Sequence, residues 1–245
     1  MTISEHFDEL RKRLGRSLIA VALASAAAFW KIELVMAFLR RPLDQVVANM
    51  EDAQVSVVQL QVHGAFVSAM KVAFFTGLVL ASPVVLSQMW AFIAAGLYRH
   101  ERRAVKFYAI PGFVLFLLGA ALAYFFVMPY ALEFLLEFGQ QVVGVASMLD
   151  VNGYLTLIAF AMFTFGLLFQ LPVVMVFLMR IGVVEPDSFA KYRRHAIVAS
   201  FALAMVLTPP DVVTQIALAG SMSLLYEAAI WIGRMLARPR RKEEG

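Results

Sequence analysis

The chain has 245 residues, 62% of them hydrophobic and 16% charged, with no cysteine and a formal net charge of +4. A soluble domain is nearer half apolar and a quarter charged, so this composition defines one membrane domain and leaves too little polar sequence for a sizeable soluble part. The lack of cysteine excludes disulfides, zinc–thiolate and iron–sulfur sites and cysteine nucleophiles, but says nothing about the redox compartment.

The chain opens TISEHFDELRKRLGR. Thr2 and Glu5 have capping-box spacing, so a helix is expected to start near Thr2. Asp8–Lys12 and Glu9–Arg13 fall at i,i+4 on its surface. Arg11, Lys12, Arg13 and Arg16 suit the cytoplasmic end of a span, whereas Glu5, Asp8 and Glu9 are not explained by orientation, because acids contribute little to it. The basic start, the run LIAVALASAAA and the small residues Ala24–Ala28 also fit a cleavable signal peptide. Cleavage there would discard the acidic cluster.

Crossing a bilayer takes about 20 mostly apolar residues. Runs at about 17–36, 70–94, 107–128, 153–179 and 212–232 qualify. The run 196–209 has only 14 residues, roughly 21 Å of helix against a hydrocarbon core of about 30 Å. Seventeen of the 21 Lys and Arg lie before the first run, at 99–106, at 180–194 or after the last run. Only Lys31, Arg40, Arg41 and Lys71 fall on the opposite side. This bias predicts an all-α integral membrane protein of six spans with both termini cytoplasmic. It also accounts for the positive charge without nucleic acid. The rival reading makes 196–232 a re-entrant pair, since Pro209, Pro210 and Asp211 form a tight turn that suits a hairpin.

Between the spans, segment 37–69 mixes polar and apolar residues. Short interfacial helices broken at Pro42 are expected there, packed as an outer cap. Pro83 can kink the second span. Trp90, Phe92 and Tyr98 suit the inner interface. Glu101 is the only acid in a loop holding Arg99, His100, Arg102, Arg103 and Lys106. His100–Glu101 begins like a zinc-protease HExxH, but position 104 is Ala, and the four histidines have no ligand spacing. Gln170 lies about ten residues from Arg180, roughly 15 Å from the inner end and near mid-membrane, with Pro172 freeing a backbone carbonyl nearby. Thr208, Asp211 and Gln215 cluster at a short outer hairpin. Glu227 lies two turns before Arg234.

Each of these polar residues has two readings at this point. Glu9 fits a solvated helix end with surface ion pairs, and Glu101 fits local charge balance. Gln170 fits a helix–helix hydrogen bond, Asp211 a cap and Glu227 plain packing. Each is also a candidate for function. GSMS at 220–223 is not GxSxG, and His195 with Ser200 is a poor base–nucleophile pair at a span edge. An intramembrane hydrolase is therefore disfavoured. So is a small-solute transporter, which would place several ionisable residues at a central site. Here that depth offers neutral Gln170, the acids sit near the faces, and no internal repeat or matched pair of broken helices is visible.

Several stretches together resemble the TatC family, the multispanning receptor subunit of the twin-arginine protein translocase. They are EHFDELRKRL at 5–14, SQMWAFIAAGLYRHERR at 87–103, FGLLFQLPVV at 165–174, KYRRHAIV at 191–198, LTPPDVVTQ at 207–215 and LLYE at 224–227. The order and spacing of these stretches, like the six-span topology, also look like TatC. The resemblance implies a receptor and scaffold, not an enzyme, with no cofactor and with a concave, glove-like helix wall. It implies binding of Arg–Arg signal peptides of folded cargo at the cytoplasmic face. Glu9 and Glu101 match the family's recognition acids, and Arg13, Phe92 and Tyr98 are the further candidates for signal-peptide binding. Carboxylates meet a guanidinium pair with bidentate, charge-assisted bonds. The implied partner-helix site for TatA and TatB lies on the fifth and sixth spans, with Met205, Thr208 and Gln215 as candidates. A short fifth span would thin the bilayer there. Pro42, Pro83, Asp211 and Glu227 are assigned structural roles. Gln170 stands where most members carry Glu, keeping hydrogen bonding and losing charge. Ala95 and Ser221 stand where Pro is usual, and Phe7 where Leu is usual. The implied location is a bacterial cytoplasmic (inner) membrane, with an archaeal membrane or a thylakoid also compatible, and the implied complex contains further copies of the chain.

Overall fold

A computed structural model describes residues 3–49, 56–58, 64–95, 102–139, 148–208 and 211–236. Helix α1 (Ile3–Trp30) runs without interruption from the charged opening into the first apolar run. It stops at Lys31, and α2 (Ile32–Asn49) starts with Glu33 in its first turn, where a carboxylate complements the positive end of the helix dipole. The end of the expected 17–36 span therefore belongs to α2.

Pro42 does not break α2, contrary to the expectation from sequence. Proline has no N–H, so the carbonyl four residues earlier loses its helical donor. That carbonyl is Phe38 O, and Tyr124 Oη donates to it at 2.7 Å. Tyr154 Oη donates to the next carbonyl, Leu39 O, at 3.2 Å. Two tyrosines from other helices thus supply donors where the proline withholds one. Leu39, Pro42, Leu43 and Val46 are buried beneath them.

Two short strands qualify the all-α expectation. Strand β1 (Ser56–Val58) pairs in parallel with β2 (Met148–Asp150), with Val57 opposite Leu149. Asp150 then caps the next helix, accepting from the N–H groups of Asn152 (3.2 Å) and Gly153 (3.0 Å).

Helix α3 (Gly64–Ala95) carries Pro83 in its interior and lies along α1. The approach is close at Gly77, where a Cβ would come within 2.7 Å of the Ser25 backbone. Helix α4 (Arg102–Leu122) passes through a π turn (Ala123–Val127) into α5 (Met128–Phe138). In that turn the Met128 N–H reaches back five residues to Ala123 O, just before Pro129, which has no N–H to give. The third expected span is thereby lengthened to Phe138.

The fourth expected span is broken. Helix α6 (Val151–Leu168) ends at Phe169–Gln170, and α7 (Leu171–Arg180) restarts with Pro172 in its first turn, the position in a helix that tolerates proline. Helix α6 crosses α4 closely, since a Cβ on Gly119 would sit 2.5 Å from Phe165 O. A turn through Gly182 (φ +76°) leads to α8 (Pro186–Lys191). Helices α9 (Arg193–Leu207) and α10 (Val212–Leu236) pack as a pair.

Five helical stretches among the described residues are long and apolar enough to cross a bilayer: His6–Trp30, Gly64–Ala95, Tyr108–Phe138, Val151–Arg180 and Val212–Leu236. Helix α9, with 15 residues, is shorter than a typical span, as its sequence implied. Many large apolar side chains face outward, including Trp30, Phe125, Val206 and Met235, as expected of surface that meets lipid. The buried apolar residues form two clusters. One joins α2, the π turn, α5 and α6 around Leu43, Val127 and Ile158. The other joins α3, α4, α7 and α10 around Trp90, Phe177 and Ile230.

Candidate functional site

The charged opening of α1 meets the end of α3. Of the two ion pairs expected on α1, Glu9–Arg13 forms and Asp8–Lys12 does not. The pair that forms is half-buried, and the Arg13 guanidinium extends to Gln88 Oε1 of α3 at 3.5 Å. Arg13 Nε is buried without a hydrogen-bond partner. One turn further along α3, Phe92 packs against His6, with ring centroids 4.6 Å apart. Glu9, Arg13 and Phe92 therefore share one crossing of α1 and α3. The other two residues named for this site, Tyr98 and Glu101, lie outside the described residues.

This arrangement suits cation recognition. Glu9 offers a carboxylate whose present partner is a guanidinium, and Phe92, packed on His6, lies at the same crossing. A carboxylate can offer both oxygens to a guanidinium from outside. Gln88 and His6 were not singled out from the sequence. Their signal is the i,i+4 spacing of Gln88 and Phe92 on α3, and this spacing says nothing about which helix they face.

Gln170 lies in a separate place. It sits at the α6–α7 break, 5% exposed. Its Nε2 donates to Gly112 O of α4 at 2.8 Å, and more weakly to Gly166 O at 3.5 Å. Its Oε1 is buried without a partner, as is Trp90 Nε1, and both lie within 3.5 Å of the place a Cβ on Gly112 would take. The amide thus ties the broken span to α4, the helix–helix role that composition alone left open. Trp90 is 1% exposed, between Tyr108 and Phe177. It is a core residue and does not sit at the interface as its sequence position suggested.

At the outer hairpin, Asp211 caps α10 by accepting from Thr214 N–H at 2.7 Å and from the Thr214 hydroxyl. Thr208 is buried and donates its hydroxyl to Ala204 O at 2.9 Å, so its oxygen remains as an acceptor. Met205 is 65% exposed, and Gln215 is half-buried in the first turn of α10. At the opposite end of the same helix pair, Glu227 binds Arg193 of α9 at 2.8 Å and Asp187 of α8 binds Arg234 at 2.9 Å. Pro83 is exposed on α3 and Pro42 is buried in α2.

Ser200 donates to Ala196 O at 2.8 Å, and His195 packs on Tyr192, so the two form no nucleophile–base pair. No cluster of three His, Asp or Glu able to hold a metal occurs among the described residues.

These features define a multispanning integral membrane protein with its charged groups gathered at helix ends. The chain belongs to the TatC family: the family model for the Sec-independent protein translocase protein (TatC) matches residues 5–220. It is 38% identical over 240 residues to the Sec-independent protein translocase protein TatC of Magnetococcus marinus, covering 98% of this chain and 86% of the relative. The Escherichia coli protein of the same name is 34% identical, with 98% of this chain and 91% of the relative covered. A crystal structure titled as the twin arginine translocase receptor TatC superposes with a TM-score of 0.79 at 34% identity, over 95% of this chain and all of that one. The protein is a TatC-type component of a Sec-independent protein translocase, and its homologues are named as translocase components.

Proposed function

We propose that the protein is the receptor and core scaffold of a twin-arginine translocase in a bacterial cytoplasmic membrane, with both termini on the cytoplasmic side. It binds the Arg–Arg pair of a signal peptide on folded cargo, with Glu9 as one recognition acid and Glu101 as the other. The observation that carries this reading is the half-buried Glu9 carboxylate, held at the α1–α3 crossing and already engaged by a guanidinium. An arriving arginine displaces Arg13 from Glu9, a resident pair worth only about 0.2–1 kcal/mol, and gains a stronger charge-assisted bond there. The second arginine at Glu101 adds a bond of the same kind. A lysine loses on the first exchange, because an ammonium lacks the planar fork. Tyr98 belongs to the same recognition surface.

The helices form the concave wall that takes the apolar part of the signal peptide. Single-span proteins of the TatA and TatB type dock at the outer hairpin, against Met205, Thr208 and Gln215. Copies of the chain associate in the receptor complex, and the proton gradient drives transport through the assembled translocase. Gln170, bonded to Gly112, serves this path as a neutral hydrogen-bonding group and not as a charge.

The test is signal-peptide binding to purified protein in detergent. An Arg–Arg peptide is expected to bind the wild type, and Glu9→Gln and Glu101→Gln are each expected to weaken it by about ten-fold or more, as befits loss of a charge-assisted bond. Undiminished binding to both folded variants would refute the assignment of these acids.

A further inference from the structure

A slot lies between α4, α7 and α10, with a volume of about 330 Å³. This falls in the range of roughly 300–1,000 Å³ usual for small-molecule sites. Its walls are apolar, with Leu115 on α4, Val173 and Val176 on α7, and Leu225, Ala228 and Ile232 on α10. Tyr108 and Arg180 stand at one end. From Tyr108 to Leu115, and from Val173 to Arg180, the walls rise about 10 Å at 1.5 Å per residue. The slot therefore runs along the helix axes, the direction an acyl chain takes in a bilayer.

Its polar end is unusual in charge. Arg193 and Arg234, at the same end of the helix group, are each neutralised, by Glu227 and Asp187. Arg180 is exposed and has no acid within ion-pair distance among the described residues. Tyr108 is 6% exposed, and its hydroxyl is buried beside the Arg180 guanidinium. A guanidinium without an acid partner, at the mouth of an apolar slot, makes a site for a phosphate oxygen.

We propose that this slot binds one phospholipid from the leaflet that meets Arg180. The phosphodiester lies on the Arg180 guanidinium, and one acyl chain fills the slot toward Leu115. The lipid then wedges between α7 and α10, the helices on either side of the α8–α9 excursion. The occupant is an amphiphile because each half of the site rejects the other half of the ligand. Free phosphate would leave the apolar slot unfilled, and a chain without phosphate would leave Arg180 without its anion.

The experiment is native mass spectrometry of the full chain in detergent with added palmitoyl-oleoyl phosphatidylglycerol. Diacylglycerol with the same chains and inorganic phosphate serve as the two half-ligands. One lipid per chain is expected to be retained at energies that strip the rest. Arg180→Gln, an exposed and therefore structurally mild change, should weaken that retention about ten-fold. Ala228→Leu, which fills the slot from its lipid-facing side, should abolish it. Arg234→Gln, at the same end but already paired, should leave it unchanged, diacylglycerol should not be retained, and phosphate should not compete. Equal retention by wild type, Arg180→Gln and Ala228→Leu would overturn the proposal. So would retention of diacylglycerol as strong as that of the phospholipid, or equal losses with Arg180→Gln and Arg234→Gln.

Discussion

The two buried clusters treat broken backbone in opposite ways. In the cluster around α2, the interruption at Pro42 is repaired from outside, with Tyr124 and Tyr154 donating to the carbonyls of Phe38 and Leu39. In the cluster around α7, the interruption at Phe169–Gln170 is only partly repaired. Gln170 Nε2 finds Gly112 O, while Gln170 Oε1 and Trp90 Nε1 stay unpartnered. A membrane protein pays heavily for unmet polar groups. The first cluster is thus a finished piece of scaffold, and the second keeps polar capacity in reserve. This contrast supports the proposal of binding functions near α7 and α3, with scaffold beneath α2.

The contrast can be broken most directly by removing bulk from the scaffold side. Leu43→Ala, at a fully buried site beside Pro42, is expected to cost about 2–5 kcal/mol, seen as a large drop in unfolding temperature in detergent. Removing only the repair is a smaller insult. Tyr124→Phe leaves Phe38 O buried without its donor and should cost about 1–3 kcal/mol by the same measurement. On the α7 side the equivalent change should be milder. Gln170→Leu deletes one good bond but also one orphaned oxygen, so a loss of about 1 kcal/mol or less is expected. A penalty there as large as that of Tyr124→Phe would erase the distinction. The smallest effect concerns the α1–α3 crossing. Arg13→Gln removes the resident partner of Glu9, a pair worth about 0.2–1 kcal/mol, so the Arg–Arg peptide should bind about two- to five-fold more tightly. Weaker binding would mean that Arg13 contacts the peptide directly instead of competing with it.

Much of this was legible in the sequence because the signals are local. Apolar run length gave the long helices and the shortness of α9. The i,i+4 spacing gave Glu9–Arg13, and the capping reading of Asp211, left open beside a functional one, is the one observed on α10. The unread parts depend on partners far along the chain. Pro42 looked like a helix breaker because nothing near it reveals that Tyr124, 86 residues from Phe38, would supply a donor. Trp90 looked interfacial because burial depends on α4 and α7 closing over it. Strands β1 and β2 are three residues each and about ninety residues apart, too short for an alternating pattern to register. Gln170 stood out in the sequence as a polar residue within an apolar run, but its bond to Gly112 required knowing which face of α4 it meets. The candidate recognition site was half-readable: Glu9 and Arg13 announce a pair, while Gln88, His6 and Phe92 join it only through the crossing of α1 and α3.

The most direct test of the central claim is titration of the purified protein with an Arg–Arg signal peptide and with its Lys–Lys counterpart, for wild type and Glu9→Gln. The account predicts that wild type prefers Arg–Arg by ten-fold or more, an estimate drawn from the bidentate bond that lysine cannot form, and that Glu9→Gln loses this preference while remaining folded. Equal affinity of wild type for the two peptides, or an undiminished preference in Glu9→Gln, would contradict it.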